Sequence, residues 1–340
     1  MPLPEGCDKH PGNPRGTPQT LIRDPQLRLQ IHAQKQSKIL EWLKTEIYSS
    51  PEILALVLGL NHRQSLHKIL VTMQEQSIIR HARVPVVGGH QILWGITEHG
   101  QALAYDVSKN ETPSPRVFEP GRISALRLRH ILGLQKMKWQ ALQAGWTGWK
   151  NCDRGVKPQR KADKPKHRPD VLVIDLAGVV IALELELTFK TVKRYAQEVI
   201  QSHAQQMIDE LAYQRVLWVC PTAEDVQRMK NLIRQAWDWL RAKQSYIIHQ
   251  LDAYQKEHGG VAIFRLGTID NWTQQWQGNK EARAGNLRNF LWAQFKQASK
   301  SYKDLDSQAE EAKAWMPVSD HALILAIRDD FKHALAKQRQ

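Results

Sequence analysis

Residues 167–190 read HRPDVLVIDLAGVVIALELELTFK and carry the densest chemistry in the chain. Asp170 stands at the mouth of an apolar run, Ala177-Gly178 breaks that run, and residues 179–187 return as a second one. Side chains alternate along a strand, so Glu184 and Glu186 share one face while Leu183, Leu185 and Leu187 share the other. Such a strand fits an exposed edge, but Val179, Val180 and Ile181 precede it without alternation and point to burial on both faces. Carboxylates near the end of a buried strand are costly unless something neutralises them. A divalent metal is the economical partner. Mg2+ or Mn2+ takes carboxylate oxygens, and in phosphodiester cleavage it would bind the scissile phosphate, acidify the attacking water and offset charge on the leaving oxygen. Asp170, Glu184 and Glu186 are therefore the expected metal carboxylates.

The elements that must hold these residues follow from periodicity. The expected fold class is α/β (α+β). Residues 1–35 contain six prolines and little apolar periodicity, which predicts a mobile arm. Ile39, Leu40, Leu43 and Ile47 mark an amphipathic helix over residues 37–49. Ser50-Pro51-Glu52 reads as a helix start, with Ser50 as N-cap and Pro51 at N1, and Gly59 closes that second helix. Leu66, Ile69, Leu70 and Met73 give a third helix over residues 61–76 its buried stripe. Residues 77–87 and 91–97 read as two strands turning at Gly88-Gly89, and Thr97 opens another short helix. Three helices and a hairpin over residues 36–108 have the layout of a winged helix-turn-helix; the alternative is a small helical dimerisation domain whose hairpin only covers its core. With Leu66 and Leu70 inward, Gln64, His67 and Lys68 point outward with Arg63 at the flank, where base edges and phosphates are contacted.

A connector, 109–121, leads to a basic helix over residues 122–144. Residues 150–168 then hold eight Lys/Arg against two Asp. That composition predicts a flexible loop whose Arg160, Lys161, Lys164 and Lys166 either contact phosphates or form a solvated linker. After the carboxylate hairpin come a helix over residues 191–213, a strand (RVLWVC), a helix over residues 225–241 and a strand (VAIFRL). Helix–hairpin–helix–strand–helix–strand is the order of a restriction-endonuclease-like α/β core, here residues 122–280, with an added helical extension over 281–340.

Composition narrows the partner. The chain has 340 residues, 48 Lys+Arg against 34 Asp+Glu and a formal charge of +14. Residues 1–168 hold 26 of the basic and 13 of the acidic residues, so nearly the whole excess lies in the N-terminal half. That asymmetry is expected of a nucleic-acid-binding module. Three cysteines are too few for a disulfide framework or a four-cysteine zinc site. Neither a membrane span nor a secretory signal is legible, which leads one to expect a cytoplasmic protein. A glycine-rich nucleotide loop is missing, and the fourteen histidines include no closely spaced pair of the kind ordinary relaxases use. Trp146/Trp149, Trp237/Trp239 and Trp272/Trp276 could stack on unpaired bases, although burial is the commoner use of tryptophan.

Pro169-Asp170 followed by Glu184-Leu185-Glu186 resembles the PD-(D/E)xK nuclease signature: a proline-aspartate, then an acidic residue, a spacer and a lysine. Glu186 stands where the signature has lysine. Some members carry Glu there and in others the lysine migrates to a neighbouring element, for which Lys190 and Lys193 are available. Together with the winged helix, the stretch LRHILGLQKMKWQALQAGW and Arg194-Tyr195, this segment is similar to the plasmid replication-relaxation family, which includes the MobC-type mobilisation proteins, atypical relaxases. The resemblance covers about residues 38–270. It implies a winged helix joined to a restriction-endonuclease-like domain that nicks supercoiled plasmid at a transfer or replication origin. Its partners would be double-stranded DNA, locally single-stranded DNA and other mobilisation or coupling proteins. Carried over, Asp170, Glu184 and Glu186 hold the metal, Lys190 is the catalytic cation, and His130, His167 and Tyr195 are accessory positions. The alternative is a non-catalytic accessory or regulatory DNA-binding protein that uses a nuclease-like fold as a platform.

Overall fold

The computed structural model describes residues 24–60, 63–105, 116–152, 167–258, 260, 262–275, 279–300 and 304–338. The chain divides into two compact units, Met1–Leu126 and Arg127–Gln340.

In the first unit, α1 spans Pro25–Glu46 and starts from an Asp24 cap whose side chain accepts from the Gln26 N–H. The helix expected from residue 37 thus begins at Pro25. Proline at N1 and a carboxylate cap nucleate it upstream of the apolar stripe, and residues 25–35 are mostly exposed, which is why periodicity missed them. Helix α2 (Pro51–Leu58) has Ser50 as N-cap and ends at left-handed Gly59. Helix α3 is Arg63–Glu75. Strands β2 (Ile79–Val86) and β3 (Gly89–Ile96) pair antiparallel, and the two-residue strand β1 (Tyr48–Ser49) adds to the free side of β3. Helix α4 (Glu98–Ala104) follows, capped by Thr97. Ile39, Leu43, Leu54, Leu66, Leu70, Met73, Leu93 and Ile96 are buried and form an apolar core.

The second unit is built on a five-stranded mixed sheet ordered β4-β5-β6-β7-β8. Its strands are β4 (Thr147–Asn151), β5 (Val171–Ile174), β6 (Val180–Leu185), β7 (Arg215–Cys220) and β8 (Phe264–Thr268). The pairs β4–β5 and β5–β6 are antiparallel, whereas β6–β7 and β7–β8 are parallel, each reached by a helical crossover. One face of the sheet packs on α5 (Ala125–Gln143): Val173, Leu183, Leu185 and Val219 meet Met137, Ala141, Trp146 and Trp272. Gly133 lets that helix come close, because a Cβ there would lie 2.5 Å from a Leu185 methyl.

The other face packs on a layer of helices. A short helix α6 (Val192–Arg194) runs through a π-helical segment, Tyr195–Ile200, into α7 (Gln201–Ile208). Helices α8 (Ala223–Lys243) and α9 (Ser245–Glu257) follow. The C-terminal helices α10 (Arg283–Lys300), α11 (Leu305–Lys313) and α12 (Val318–Gln338) belong to the same core, since Phe295, Ile324, Ile327 and Phe331 cluster with Ile174, Val216 and Trp218. These helices, expected as an extension, are part of the layer that closes one face of the sheet. No helix among the described residues is long and apolar enough to cross a membrane.

Candidate functional site

Strand β6 is buried along its whole length, as its unbroken apolar start requires. Alternation then separates its last residues. Leu183 and Leu185 go to the α5 face, while Glu184 sits across from Trp218 of β7 on the opposite face. Glu186 continues the pairing with a backbone hydrogen bond from its N–H to Val219 O (2.9 Å). Asp170 lies just before β5, and its N–H bonds Leu183 O (3.1 Å). The hairpin therefore brings Asp170, Glu184 and Glu186 to one end of the central sheet, as their spacing leads one to expect.

Each carboxylate meets a different basic partner. Asp170 Oδ2 lies 3.1 Å from His130 Nε2 of α5 and accepts the Leu185 N–H at 2.8 Å. Burial pushes its pKa up, against the pull of the His130 contact. Glu186 takes Lys190 Nζ on both oxygens, at 2.8 and 2.6 Å. Its pKa is raised by burial and only partly restored by Lys190 and by Tyr195. Glu184 is the most enclosed of the three. Its Oε1 lies 2.8 Å from His167 Nε2 and 3.3 Å from His203 Nε2.

Burial alone would raise the Glu184 carboxyl, but the two imidazoles outweigh it and bring its pKa to about 2. The two histidines respond in opposite directions. Burial works against a charge on both, yet the Glu184 contact wins at His167 and raises it, whereas burial wins at His203 and lowers it. The carboxylate thus favours a proton on His167, and burial disfavours one on His203. His203 Nδ1 is 2.6 Å from Tyr213 Oη, and Trp218 and Phe264 surround the ring edge-on.

Lys190 and Tyr195 join the cluster. The Lys190 N–H donates to Tyr195 Oη (3.3 Å), and its ammonium sits 5.4 Å from the Tyr195 ring centroid. Tyr195 itself is fully buried in the core, and burial pushes its phenol well above the ordinary range. Buried and protonated, it is placed to pack and to donate, not to attack. Trp146 and Trp272 pack edge to face with each other, centroids 5.1 Å apart, so neither is offered to a base.

Sequence reasoning missed His203 and Tyr213. His203 is on α7, inside the helix expected over residues 191–213, and Tyr213 is in the loop before β7. Neither belongs to a local motif. The available signal was weak: a histidine within an apolar helical stripe, which normally reads as packing. Strand β4 was missed too. It is only five residues long, contains Gly148 at positive φ, and shifts register against β5. It takes in Lys150 and Asn151, the first residues of the segment expected as a basic loop.

The other expected contacts lie in the first unit or outside the described residues. Gln64, His67 and Lys68 are exposed on α3, as the helical wheel requires. They line a groove of about 790 Å³ with His81, Arg83 and His90 of the β2–β3 hairpin. Arg63 begins α3, and its side chain lies outside the description. Arg160, Lys161, Lys164 and Lys166 lie outside the described residues, as does Trp276.

The site can hold charge and bind a cation. Among the described residues, the donors that lie within 4.8 Å of one another are His167, Glu184 and His203. Two imidazoles and one carboxylate do not single out Mg2+ or Mn2+, and Mg2+ prefers an oxygen shell. Comparison with protein-family models, with curated proteins and with solved structures finds no match to this chain.

Proposed function

We propose that the chain is a DNA-directed phosphodiesterase that nicks duplex DNA at a plasmid transfer or replication origin with the help of a divalent ion. On this reading the first unit is a winged helix-turn-helix, and the second is a restriction-endonuclease-like domain of the kind found in plasmid replication-relaxation proteins. One observation carries it. The hairpin β5–β6 and the turn after it bring Asp170, Glu184, Glu186 and Lys190 to one end of a mixed sheet, which supports this reading. The basic N-terminal half and the exposed Gln64, His67 and Lys68 supply a surface for duplex DNA.

The roles of the chain's own residues follow from their surroundings. Asp170 and Glu184 are carboxyl groups held beside the place where a phosphodiester would sit. His130 and His167 hold them in place and can carry protons. Lys190 supplies the positive charge that the signature assigns to lysine, and Glu186 holds it against the hairpin. A divalent ion, when bound, would polarise the phosphodiester and acidify a water.

A second reading is favoured by the same geometry. Every one of the three carboxylates already has a protein partner, which is how a non-catalytic DNA-binding platform would satisfy them. Supercoiled origin plasmid separates the two. Asp170→Ala or Glu184→Ala should abolish divalent-metal-dependent nicking while leaving gel-shift binding to duplex DNA within about twofold. Wild-type protein that binds the plasmid but never nicks it, with any divalent ion, would leave the platform reading in place.

A further inference from the structure

The carboxylates do not share one environment. Asp170 is engaged by His130 and by a backbone N–H, and Glu186 by both contacts from Lys190. Glu184 alone faces two imidazole nitrogens. His203 is fully buried, and its Nε2 is aimed at Glu184 Oε1 from 3.3 Å without making a well-formed hydrogen bond to any described residue. A buried polar nitrogen left in this state, beside a carboxylate and a second imidazole, needs an explanation.

We propose that His167 Nε2, Glu184 Oε1 and His203 Nε2 are the protein ligands of a divalent transition-metal ion of the zinc or cobalt type. The inference deepens the nuclease reading and rests on it only for what the ion would serve. The spacing suits it. Zinc takes imidazole nitrogen and carboxylate oxygen at about 2.0–2.1 Å, so the donors of a tetrahedral site lie about 3.3 Å apart. The separations from Glu184 Oε1 are 2.8 and 3.3 Å, and the three donors all lie within 4.8 Å of one another.

Two imidazoles and a carboxylate are a donor set that catalytic zinc sites use, with a fourth position left for water or substrate. His167 is the least buried ligand, 18% accessible, against 7% for Glu184 and 0% for His203, so that position opens on the His167 side. Tyr213 is a positioning residue. With Nε2 on the ion, His203 carries its proton on Nδ1 and donates it to Tyr213 Oη at 2.6 Å, which fixes the tautomer and the ring. Ionic selectivity follows from the same donors: imidazole favours the later first-row metals, and a hard ion that prefers an oxygen shell competes poorly.

The test is direct binding to the full chain, carried without a histidine tag and stripped of metal. Titration with Co2+ should give a visible d–d band that saturates near one equivalent, and Zn2+ should displace the ion and abolish the band. Millimolar Mg2+ should not. Glu184→Gln and His167→Gln should each lose the band while the far-ultraviolet circular dichroism stays native. The half-buried His167 is included because its replacement disturbs the core least. Tyr213→Phe should keep the band and weaken affinity about 10- to 100-fold. Absence of a saturable band in wild type overturns the proposal, as does unchanged Co2+ affinity in folded His167→Gln or Glu184→Gln, or displacement of Co2+ by millimolar Mg2+. Failure of nicking with the Co2+ band intact would remove the nuclease reading and leave this site standing.

Discussion

The two units place their candidate functional residues in opposite ways. The first keeps its candidate contact residues outside: Gln64, His67 and Lys68 are exposed on α3 above a core of Ile, Leu and Met, although Glu46 of α1 is buried. The second brings ionisable groups inside, with Asp175, Glu184, Glu186 and His203 all buried around one sheet. Surface contacts of the first kind are nearly independent of folding energy, because exchanging water for a partner changes little in the isolated protein. Buried charges of the second kind are not independent. Each must be paired or relocated, so the residues that carry chemistry there also carry stability. Substitutions should therefore separate function from stability in the first unit and fail to do so in the second.

The largest effect is expected at Glu184. Removing one member of a buried charged group typically costs about 3–5 kcal/mol, because the partner is left unpaired. Gln keeps an amide oxygen beside the two imidazoles and adds no charge, which places Glu184→Gln near the lower end of that range. Urea unfolding monitored by tryptophan fluorescence should show the loss, and nicking should disappear with it. A variant that loses nicking at undiminished stability would mean that the buried cluster is not part of the fold's support, and the contrast between the units would fail.

The counterpart in the first unit is smaller and of the other kind. Arg63→Ala with Lys68→Ala should change the unfolding free energy little, since exposed positions such as Lys68 usually contribute no more than about 0.5 kcal/mol. The same pair should weaken binding to duplex origin DNA at least tenfold at moderate salt, since loss of one good base contact costs about 1–3 kcal/mol. Unchanged affinity in a gel-shift titration would mean that α3 faces a protein instead.

How much of this could be read in advance divides along the same line. In the first unit the stripe Leu66–Ile69–Leu70–Met73 sets which side of α3 is buried, and Gly88, at positive φ in the Val87-Gly88 turn, sets the hairpin, because local periodicity and turn chemistry decide both. In the second unit the hairpin carrying Asp170, Glu184 and Glu186 was legible because alternation along one strand is also a local rule. The partners were not. His203 comes from a helix 19 residues downstream of Glu184, and it meets the carboxylate only because the π-helical segment and α7 fold back on that face of the sheet. Strand β4 pairs across the segment between Cys152 and His167, and nothing in TGWKN announces a strand. Local rules gave the carboxylates, and tertiary packing chose what neutralises them.

The smallest effect tests the same contrast at a group with no proposed chemical role. Asp175 sits in the turn between β5 and β6, 1% exposed. Its Oδ1 accepts the Val179 N–H at 2.9 Å, while Oδ2 is buried with no hydrogen-bond partner among the described residues. Burial raises its pKa above the ordinary carboxylate value, and neither the Val179 contact nor the charges of Arg215 and Arg283 fully offset this. The sign follows from proton counting. Between the unfolded pKa and the higher folded one, the native state holds more protons than the unfolded state, so stability falls as pH rises through that window. Below the window both states are protonated, and above it the cost of the buried charge is constant. Asp175→Asn keeps an oxygen for the Val179 N–H and cannot ionise. Its unfolding free energy relative to wild type should therefore be lowest below the unfolded carboxylate pKa, rise as pH increases towards the folded pKa, and then level off. Paired urea titrations from acid to neutral pH read this difference directly and cancel every other titrating group. A difference that is flat, or that falls with pH, would show that Arg215 and Arg283 neutralise Asp175 completely, making it a satisfied charge like Glu184.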